Sequence, residues 1–161
     1  MEELIGRLRK SNPDAILEVV YYQGETTLVA EAGKAKGLLR SLKDDEGFDY
    51  LVDVSSVHWP EEGRMDVVYV ARSLKTRDQL RVRAEVPDEN PEIETVSDVW
   101  RTADWLEREV YDLMGVRFTG HPDLKRIMLP EDFEGHPLRK EYPMEGDDEW
   151  RNFLPAENEN D

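Results

Sequence analysis

The chain has 161 residues, no cysteine and a formal net charge of −16 at pH 7. Its length fits one domain, and the absence of cysteine excludes disulfides, thiol nucleophiles and iron–sulfur clusters held by the usual cysteinate ligands. The negative charge disfavours partners that are themselves anionic, so we expect no nucleic acid and no anionic lipid. The longest apolar run, 67–71, is far short of the roughly 20 residues that cross a bilayer. With no secretory leader either, we expect a cytoplasmic protein without direct membrane insertion, which reaches a membrane only through a partner.

The first part of the sequence predicts a helix, a β-hairpin and a second helix. Residues 2–9 place their apolar side chains on one side of a short helix, and the β-rich runs 14–22 and 25–30 are separated by Gln23-Gly24. The second helix is indicated by apolar residues at the i, i+3, i+4, i+7 spacing, which are Ala35, Leu38, Leu39 and Leu42.

Three strands are predicted next, over 48–58, 65–72 and 80–86. In the first of them, an alternating pattern predicts that three residues share one face, which are Tyr50, Val52 and Val54. The last strand alternates more strictly, because polar residues separate its apolar ones, which are Leu80, Val82, Ala84 and Val86. This period of two predicts a sheet with one packed face and one face exposed to water or to a partner.

A last helix is predicted to begin near Ser97 or Asp98, whose side chains can cap the free N–H groups of a first turn. Its apolar stripe consists of Leu106, Val110 and Leu113. Gly115 suits the left-handed residue that ends many helices. Beyond Pro130 the periodicity is lost, although scattered large apolar side chains continue, which are Phe133, Leu138, Tyr142, Met144, Trp150, Phe153 and Leu154.

This order of elements predicts an α+β fold, a two-layer sandwich with a mostly antiparallel or mixed sheet and helices on one face. The short turns argue against parallel neighbours, which need long crossover connections. We expect an α+β domain over 1–129 and an extended C-terminal docking tail over 130–161. Isolated anchors do not repay the entropy of ordering a chain in solution. Up to Pro143, the tail therefore either folds back over its own domain or lies on a partner, and past Trp150 we expect it to lie on a partner's surface.

Two of the three histidines share one local sequence, Gly120-His121-Pro122 and Gly135-His136-Pro137. With Asp123 or Glu134 nearby, they allow the hypothesis of a zinc site, and hence of a stand-alone metal-dependent hydrolase using His121 and His136. Their spacing matches no known ligand motif. A structural interpretation is more economical, in which glycine permits a sharp turn, proline fixes φ and histidine is a hydrogen-bonding wedge, so we expect no metal.

The carboxylates of the last helix also allow a catalytic hypothesis. Glu109 and Asp112 are three residues apart and share a helix face, so a general acid–base pair is conceivable. Arg108 and Asp112 are four residues apart, which favours a simple ion pair on the helix surface. The chain has none of the glycine-rich motifs that bind nucleotides. We therefore expect no catalytic residue and no bound cofactor.

Closely spaced motifs occupy the last third of the chain. Residues 107–116 read Glu-Arg-Glu-Val-Tyr-Asp-Leu-Met-Gly-Val, 118–130 read Phe-Thr-Gly-His-Pro-Asp-Leu-Lys-Arg-Ile-Met-Leu-Pro, and 135–143 read Gly-His-Pro-Leu-Arg-Lys-Glu-Tyr-Pro. This pattern resembles the signature of the 30 kDa subunit family of NADH-quinone oxidoreductase, respiratory complex I, in which the subunit is designated C. Two positions depart from the family pattern, since Met114 stands where an aromatic is common and Glu141 where aspartate is common.

The resemblance implies a cofactor-free subunit in the peripheral arm of a proton-translocating complex, on the cytoplasmic side of the membrane. Such a subunit is non-catalytic alone and packs against the large quinone-site subunit, designated D, which forms the quinone pocket with the iron–sulfur subunit, designated B. Related hydrogenase and ferredoxin- or deazaflavin-dependent dehydrogenase complexes contain similar subunits, so the electron donor stays open. A third alternative is an acidic interaction module without redox connection.

The resemblance also implies that the motif residues serve an interface or a buried network. These residues are Glu107, Arg108, Glu109, Asp112, Gly115, Gly120, His121, Pro122, Arg126, Gly135, His136, Pro137, Leu138, Arg139, Lys140 and Tyr142. Among them, Arg139 is expected to clasp a carboxylate of the partner with two hydrogen bonds, because its planar guanidinium suits bidentate pairing.

Overall fold

The computed structural model describes residues 1–143. Its helices are α1 (Glu2–Ser11), α2 (Ala35–Asp44) and α3 (Ala103–Met114). Its strands are β1 (Ile16–Tyr22), β2 (Glu25–Ala30), β3 (Tyr50–Trp59), β4 (Arg64–Arg72), β5 (Gln79–Pro87), β6 (Glu92–Glu94) and β7 (Arg117–Thr119).

Five strands form one mixed sheet in the order β1-β2-β5-β4-β3. The pair β2–β5 is parallel, and its neighbours pair antiparallel. This arrangement confirms the predicted α+β class with a mixed sheet. The argument against parallel neighbours was wrong at two places, since β6 and β7 also pair in parallel and the connection from β2 to β5 is long. It contains α2 and the whole β3–β4 hairpin, which is enough chain for a crossover.

The helices cover one face of the sheet, and their apolar residues form a single core with the inward-facing residues of the strands. The alternation predicted for β5 is confirmed, since Leu80, Val82, Ala84 and Val86 are buried while the residues between them lie on the other face. On β5, that outer face carries the polar and charged side chains of Gln79, Arg81, Arg83 and Glu85. An amphipathic strand in the centre of the sheet thus sets which face receives α3.

The face predicted for the first part of β3 was wrong. A β-bulge shifts the register between Leu51 and Asp53, so Leu51 and Val54 point into the core while Tyr50 and Val52 are exposed. A bulge adds one residue to one strand and reverses the inside–outside pattern after it.

The predicted start of α3 was also wrong, because the helix begins at Ala103. Residues 97–102 form consecutive turns, and Trp100 is buried there with its Nε1–H donating to the carbonyl of Phe48 (3.1 Å). Asp98, predicted as a cap, instead pairs with Lys36 (3.3 Å) and Arg40 (2.5 Å) on α2.

The short strands β6 and β7 were not predicted. They pair in parallel and bracket α3, so that both ends of the helix are tied to one two-stranded ribbon. None of the helices within residues 1–143 has the length and hydropathy of a membrane span.

Candidate functional site

The most extensive polar network of the described chain lies at the C-terminal end of α3, and Asp112 is at its centre. The Asp112 side chain is fully buried, and its Oδ2 accepts hydrogen bonds from three successive backbone N–H groups, those of Ile127 (3.0 Å), Met128 (2.7 Å) and Leu129 (3.0 Å). The carboxylate therefore holds a returning segment of chain against the helix. We call residues 126–142, which bond to the last turn of α3, the clasp.

Arg126 closes the other side of the same carboxylate. Its Nη1 donates to Oδ1 of Asp112 (2.7 Å), and its Nη2 donates to the carbonyl of Gly135 (3.0 Å). Burial acts to raise the pKa of Asp112, but the amide hydrogen bonds of Met128 and Leu129 and the guanidinium of Arg126 outweigh it and hold that pKa below its ordinary value. Asp112 is thus a charged anchor for two separate stretches of the clasp.

The last carbonyls of α3, which have no partner inside the helix, are bonded by the clasp. Nδ1 of His136 donates to the carbonyl of Asp112 (2.9 Å), the N–H of Leu138 to that of Leu113 (3.0 Å), and Nε of Arg139 to that of Met114 (2.8 Å). Burial lowers the pKa of His136, so the imidazole is neutral at pH 7 with its proton on Nδ1. The carbonyls at the helix end are therefore satisfied by donors of the same chain.

Gly115 makes this close approach possible. It ends α3 in the left-handed conformation (φ 77°), as the sequence predicted. A Cβ at this position would lie 2.5 Å from Cδ2 of His136 and 3.0 Å from Nη2 of Arg139. Only glycine fits between the helix end and the clasp.

An aromatic pair stabilises the far part of the clasp. The rings of Phe133 and Tyr142 stack with centroids 6.1 Å apart, and Arg126 lies over Phe133 at 5.8 Å. Gly135 has φ 87°, and a Cβ there would meet the Tyr142 ring at 3.0 Å. The clasp ends at β3, where the N–H of Lys140 donates to Nδ1 of His58 (3.3 Å).

A second buried carboxyl, that of Glu107, lies on the core side of α3. Its Oε1 accepts from the N–H of Val96 (2.7 Å), and its Oε2 accepts from the hydroxyl of Thr95. Burial raises the pKa of Glu107 to about 7, against the opposing effect of these two hydrogen bonds. Glu107 links α3 to the end of β6, and near neutral pH it is shared between its protonated and ionised forms.

His121 packs beside Glu107 with a fully buried side chain and its Nε2 3.9 Å from Oε2 of that carboxyl. Its Nδ1 accepts from the N–H of Asp123 (3.1 Å), so the ring proton is on Nε2, which donates to the carbonyl of Asp104 (3.1 Å). In both Gly-His-Pro sequences the geometry at glycine and at histidine agrees with the structural interpretation. Gly120 and Gly135 have positive φ, and each histidine bonds a backbone carbonyl of α3.

Because the folded-state pKa of Glu107 lies above the ordinary value of 4.5, folding binds a proton there, and stability is lost as the pH rises towards 7. We expect this group to reduce the free energy of unfolding by about 2 kcal/mol between pH 5 and pH 7. In Glu107→Gln this part of the pH dependence should disappear, whereas Glu109→Gln, at an exposed position, should retain it. Urea unfolding at several pH values measures the difference, and a parallel pH dependence in Glu107→Gln and the parent would contradict the assignment.

The structure does not bring His121 and His136 together. They bond to opposite ends of α3, at Asp104 and Asp112, which are eight residues and about 12 Å apart along the helix axis. Within residues 1–143, no cluster of three or more His, Asp or Glu side chains could hold a metal ion. The geometric basis of the metal-dependent hydrolase hypothesis is therefore lacking.

The predicted surface ion pair of Arg108 with Asp112 was wrong, because Arg126 is the partner of Asp112. Arg108 stacks over Trp105 (4.8 Å) and donates from Nε to the carbonyl of Lys125 (3.3 Å). Glu109 is exposed while Asp112 is buried, so the two carboxylates do not form an acid–base pair.

The structure thus assembles most of the motif residues around α3. Six of them form buried or half-buried contacts within the chain, which are Glu107, Asp112, Arg126, His121, His136 and Arg139. The turns between these residues contain Gly115, Gly120 and Gly135. Pro122 and Pro137 follow the two histidines in these turns, whereas Glu109, Leu138 and Lys140 present exposed side chains. Arg139 donates from Nε to its own helix, and its Nη1 lies 3.5 Å from Oε1 of Glu141. Its expected bond to a partner carboxylate stays a prediction.

The fold and this site define an α+β protein whose polar motif residues chiefly hold a C-terminal segment on a helix end. The sequence profile of the respiratory-chain NADH dehydrogenase 30 kDa subunit matches residues 28–148. The corresponding NADH-quinone oxidoreductase subunit of Geobacter sulfurreducens is 44% identical over 144 residues, covering 88% of this chain and 89% of that protein. The corresponding subunit of Moorella thermoacetica is 39% identical and covers 90% and 97%.

Two solved structures are similar as well. A trypsin-resistant fragment of Nqo5 (1–134) has a TM-score of 0.65 and 32% identity, covering 76% of this chain and 98% of the fragment. A chain from the membrane-bound sulfane sulfur reductase, an archaeal respiratory membrane complex, has a TM-score of 0.79 over 99% and 95%, and its 23% identity supports the fold alone. This chain belongs to the 30 kDa subunit family of respiratory-chain NADH dehydrogenases.

Proposed function

We propose that this chain is a cofactor-free peripheral-arm subunit of a proton-translocating quinone oxidoreductase fed by NADH or a related donor. In this role it lies on the cytoplasmic side of the membrane and holds together the large quinone-site subunit and the iron–sulfur subunit of the same complex. It is non-catalytic alone. The family assignment supports membership of such a complex, and the clasp is the feature of this chain that supports an adhesive role.

One observation supports the docking role: large apolar side chains are exposed on a backbone that is held by hydrogen bonds to α3. Met128 and Leu138 are 63% and 58% exposed, yet their N–H groups donate to Asp112 and Leu113 on α3. Trp105 on the same helix is exposed as well. Apolar groups presented on a rigid support lose little conformational entropy on binding, which is typical of interface anchors.

The clasp also explains why these anchors do not collapse into their own core. The three amide hydrogen bonds to Asp112 fix the backbone of 127–129, and the bond from Leu138 to Leu113 fixes the next stretch. The side chains are thereby directed away from α3 towards whatever covers them. In this proposal the large quinone-site subunit binds over most of these side chains, and burial of each side chain contributes about 1.5–3 kcal/mol to binding.

The test is co-expression of the tagged chain with the quinone-site and iron–sulfur subunits and measurement of their yield on the affinity resin. We expect Leu138→Asp to reduce the recovered quinone-site subunit at least tenfold, because a carboxylate would be buried without a partner. The melting temperature of the isolated chain should stay unchanged, since residue 138 is solvent-exposed there.

The matched control is Leu17→Asp on β1, at the sheet edge opposite β3, where the replaced side chain is 64% exposed. This variant should recover the quinone-site subunit at the parental level. Equal recovery with Leu138→Asp and Leu17→Asp would contradict docking through the clasp. Metal analysis and an absorption spectrum of the isolated chain check the cofactor-free part of the proposal, which a stoichiometric metal or a chromophore would overturn.

A further inference from the structure

The β4–β5 connection carries the main cluster of unpaired positive charge on this acidic chain. Residues 72–81 contain four cationic side chains and one carboxylate, whereas the whole chain has a net charge of −16. Arg81 pairs with Glu25 (2.8 Å). Within residues 1–143, Arg72, Lys75 and Arg77 are exposed and have no ion-pair partner.

Apolar side chains lie beside these cations. Leu74 is 65% exposed, and Tyr50 and Val52 on the adjoining end of β3 are exposed by the β-bulge. Together they line a shallow groove of about 310 Å³ with Arg72 and Arg77 at its rim. We call this surface the hairpin patch. It combines a groove for one or two apolar side chains with three cations that lack carboxylates.

The loop of the patch is ordered before anything binds. Ser73 donates its N–H to the carbonyl of Asp78 (2.9 Å) and accepts at its own carbonyl from Arg77 (2.9 Å). Its hydroxyl accepts from the N–H of Thr76 (3.3 Å). A preformed surface loses less entropy on binding than a mobile loop.

The segment after the described residues has the complementary chemistry. Residues 144–161 contain seven carboxylates and one cation, and their apolar side chains are Met144, Trp150, Phe153 and Leu154. Residues 1–143 carry a net charge of −10, since they contain 30 carboxylate and 20 cationic side chains, so on average they repel such a segment. The hairpin patch attracts it over distances of about one Debye length, roughly 8 Å at physiological salt.

The segment can also reach the patch. The described chain passes His58 at Lys140, and the strand from His58 to Tyr50 spans about 26 Å. Eleven residues, from 143 to 154, extend up to about 36 Å. Attachment in the same chain gives an effective concentration on the order of millimolar, so even a weak contact is populated.

We propose that residues 144–161 dock on the hairpin patch of their own chain when no partner covers them. Phe153 and Leu154 occupy the groove, and carboxylates on either side of them pair with Arg72, Lys75 and Arg77. This contact shields the apolar side chains of the segment from solvent before assembly. The inference concerns the isolated chain and does not depend on the proposed function.

The test uses the full chain, which has no cysteine, so that a nitroxide label can be attached at one introduced site. With Glu157→Cys labelled, we expect the amide signals of Thr76 and Arg77 to lose at least half of their NMR intensity. The triple variant Arg72→Glu, Lys75→Glu, Arg77→Glu should restore these signals, as should high salt. The matched control is Arg9→Glu with Lys10→Glu on α1, two exposed cations elsewhere, and it should leave the broadening unchanged.

Three outcomes would overturn the proposal. Undiminished broadening in the triple variant would mean that the cations do not hold the segment. Broadening found only when labelled and isotope-enriched molecules are mixed would identify a second copy as the occupant. Hairpin signals that respond to phosphatidylglycerol vesicles but not to the label would identify an anionic lipid surface instead.

Discussion

Replacement of Asp112 by alanine is expected to lower the free energy of unfolding by about 3–5 kcal/mol. The carboxylate accepts hydrogen bonds from three backbone N–H groups and pairs with Arg126, so its removal leaves partly buried donors and a half-buried guanidinium without their acceptor. Urea unfolding followed by circular dichroism at pH 7 measures the loss. Glu109→Ala, three residues earlier and exposed, is the control and should change stability by less than about 0.5 kcal/mol.

The destabilisation caused by Asp112→Ala has a defined pH dependence. Because folding holds the pKa of Asp112 below its ordinary value of 3.8, the stabilisation from its charge is complete above that value and is lost as the pH falls through the folded-state pKa. The difference between the parent and Asp112→Ala should therefore shrink in acid. A difference that stays constant from pH 7 into the acid range would assign the loss to packing rather than to charge.

Gly115→Ala is expected to destabilise the protein by about 2–4 kcal/mol. The new Cβ requires alanine at φ 77° and would overlap Cδ2 of His136, only 2.5 Å away. The clasp has to move off the helix end, which breaks the bonds of His136 and Leu138 to the last carbonyls of α3. Hydrogen exchange of the Leu138 amide should accelerate together with the loss of stability.

Gly6→Ala is the matched control for this substitution. Gly6 lies within α1, and a Cβ there meets no atom within 4 Å. Alanine in an exposed helix interior is expected to stabilise by about 0.5–1 kcal/mol. Opposite signs for the same chemical change would show that the left-handed turn and its close contacts, and not glycine as such, are required at Gly115. A neutral Gly115→Ala would contradict the tight clasp.

The sequence predicted the elements whose pattern is local. The period of two in β5 and the helical spacing in α2 each report which side chains face the core, so both were correct. The start of α3 was predicted too early because Ser97 and Asp98 have the chemistry of caps, while the burial of Trp100 keeps 97–102 in turns. The bulge in β3 left no clear signal, since Tyr50, Val52 and Val54 alternate whether or not the strand is regular.

The motif residues of the site were found from sequence, but their connections were not. Asp112 was assigned to Arg108 because only helical spacing is visible in a sequence, whereas Arg126 reaches it through a turn of the tertiary fold. The burial of Glu107 had one available signal. It lies at helical spacing between Ala103 and Val110, on the core side of α3, where a carboxyl is unexpected. The partners of Glu107, Thr95 and Val96, directly follow β6, a strand too short to predict.

The parallel pairing of β2 with β5 has a consequence for the order of events during synthesis. Thr27 pairs with Arg81 and Ala30 with Ala84, so the β1–β2 hairpin leaves the ribosome more than fifty residues before its neighbour in the sheet. At roughly 5–20 residues per second, the edge of β2 stays open for about 3–10 s. Until β5 has been synthesised, the open edge of β2 is a template for pairing with other nascent chains. Because the crossover is long, completion of the sheet depends on a slow, non-local pairing of β2 with β5.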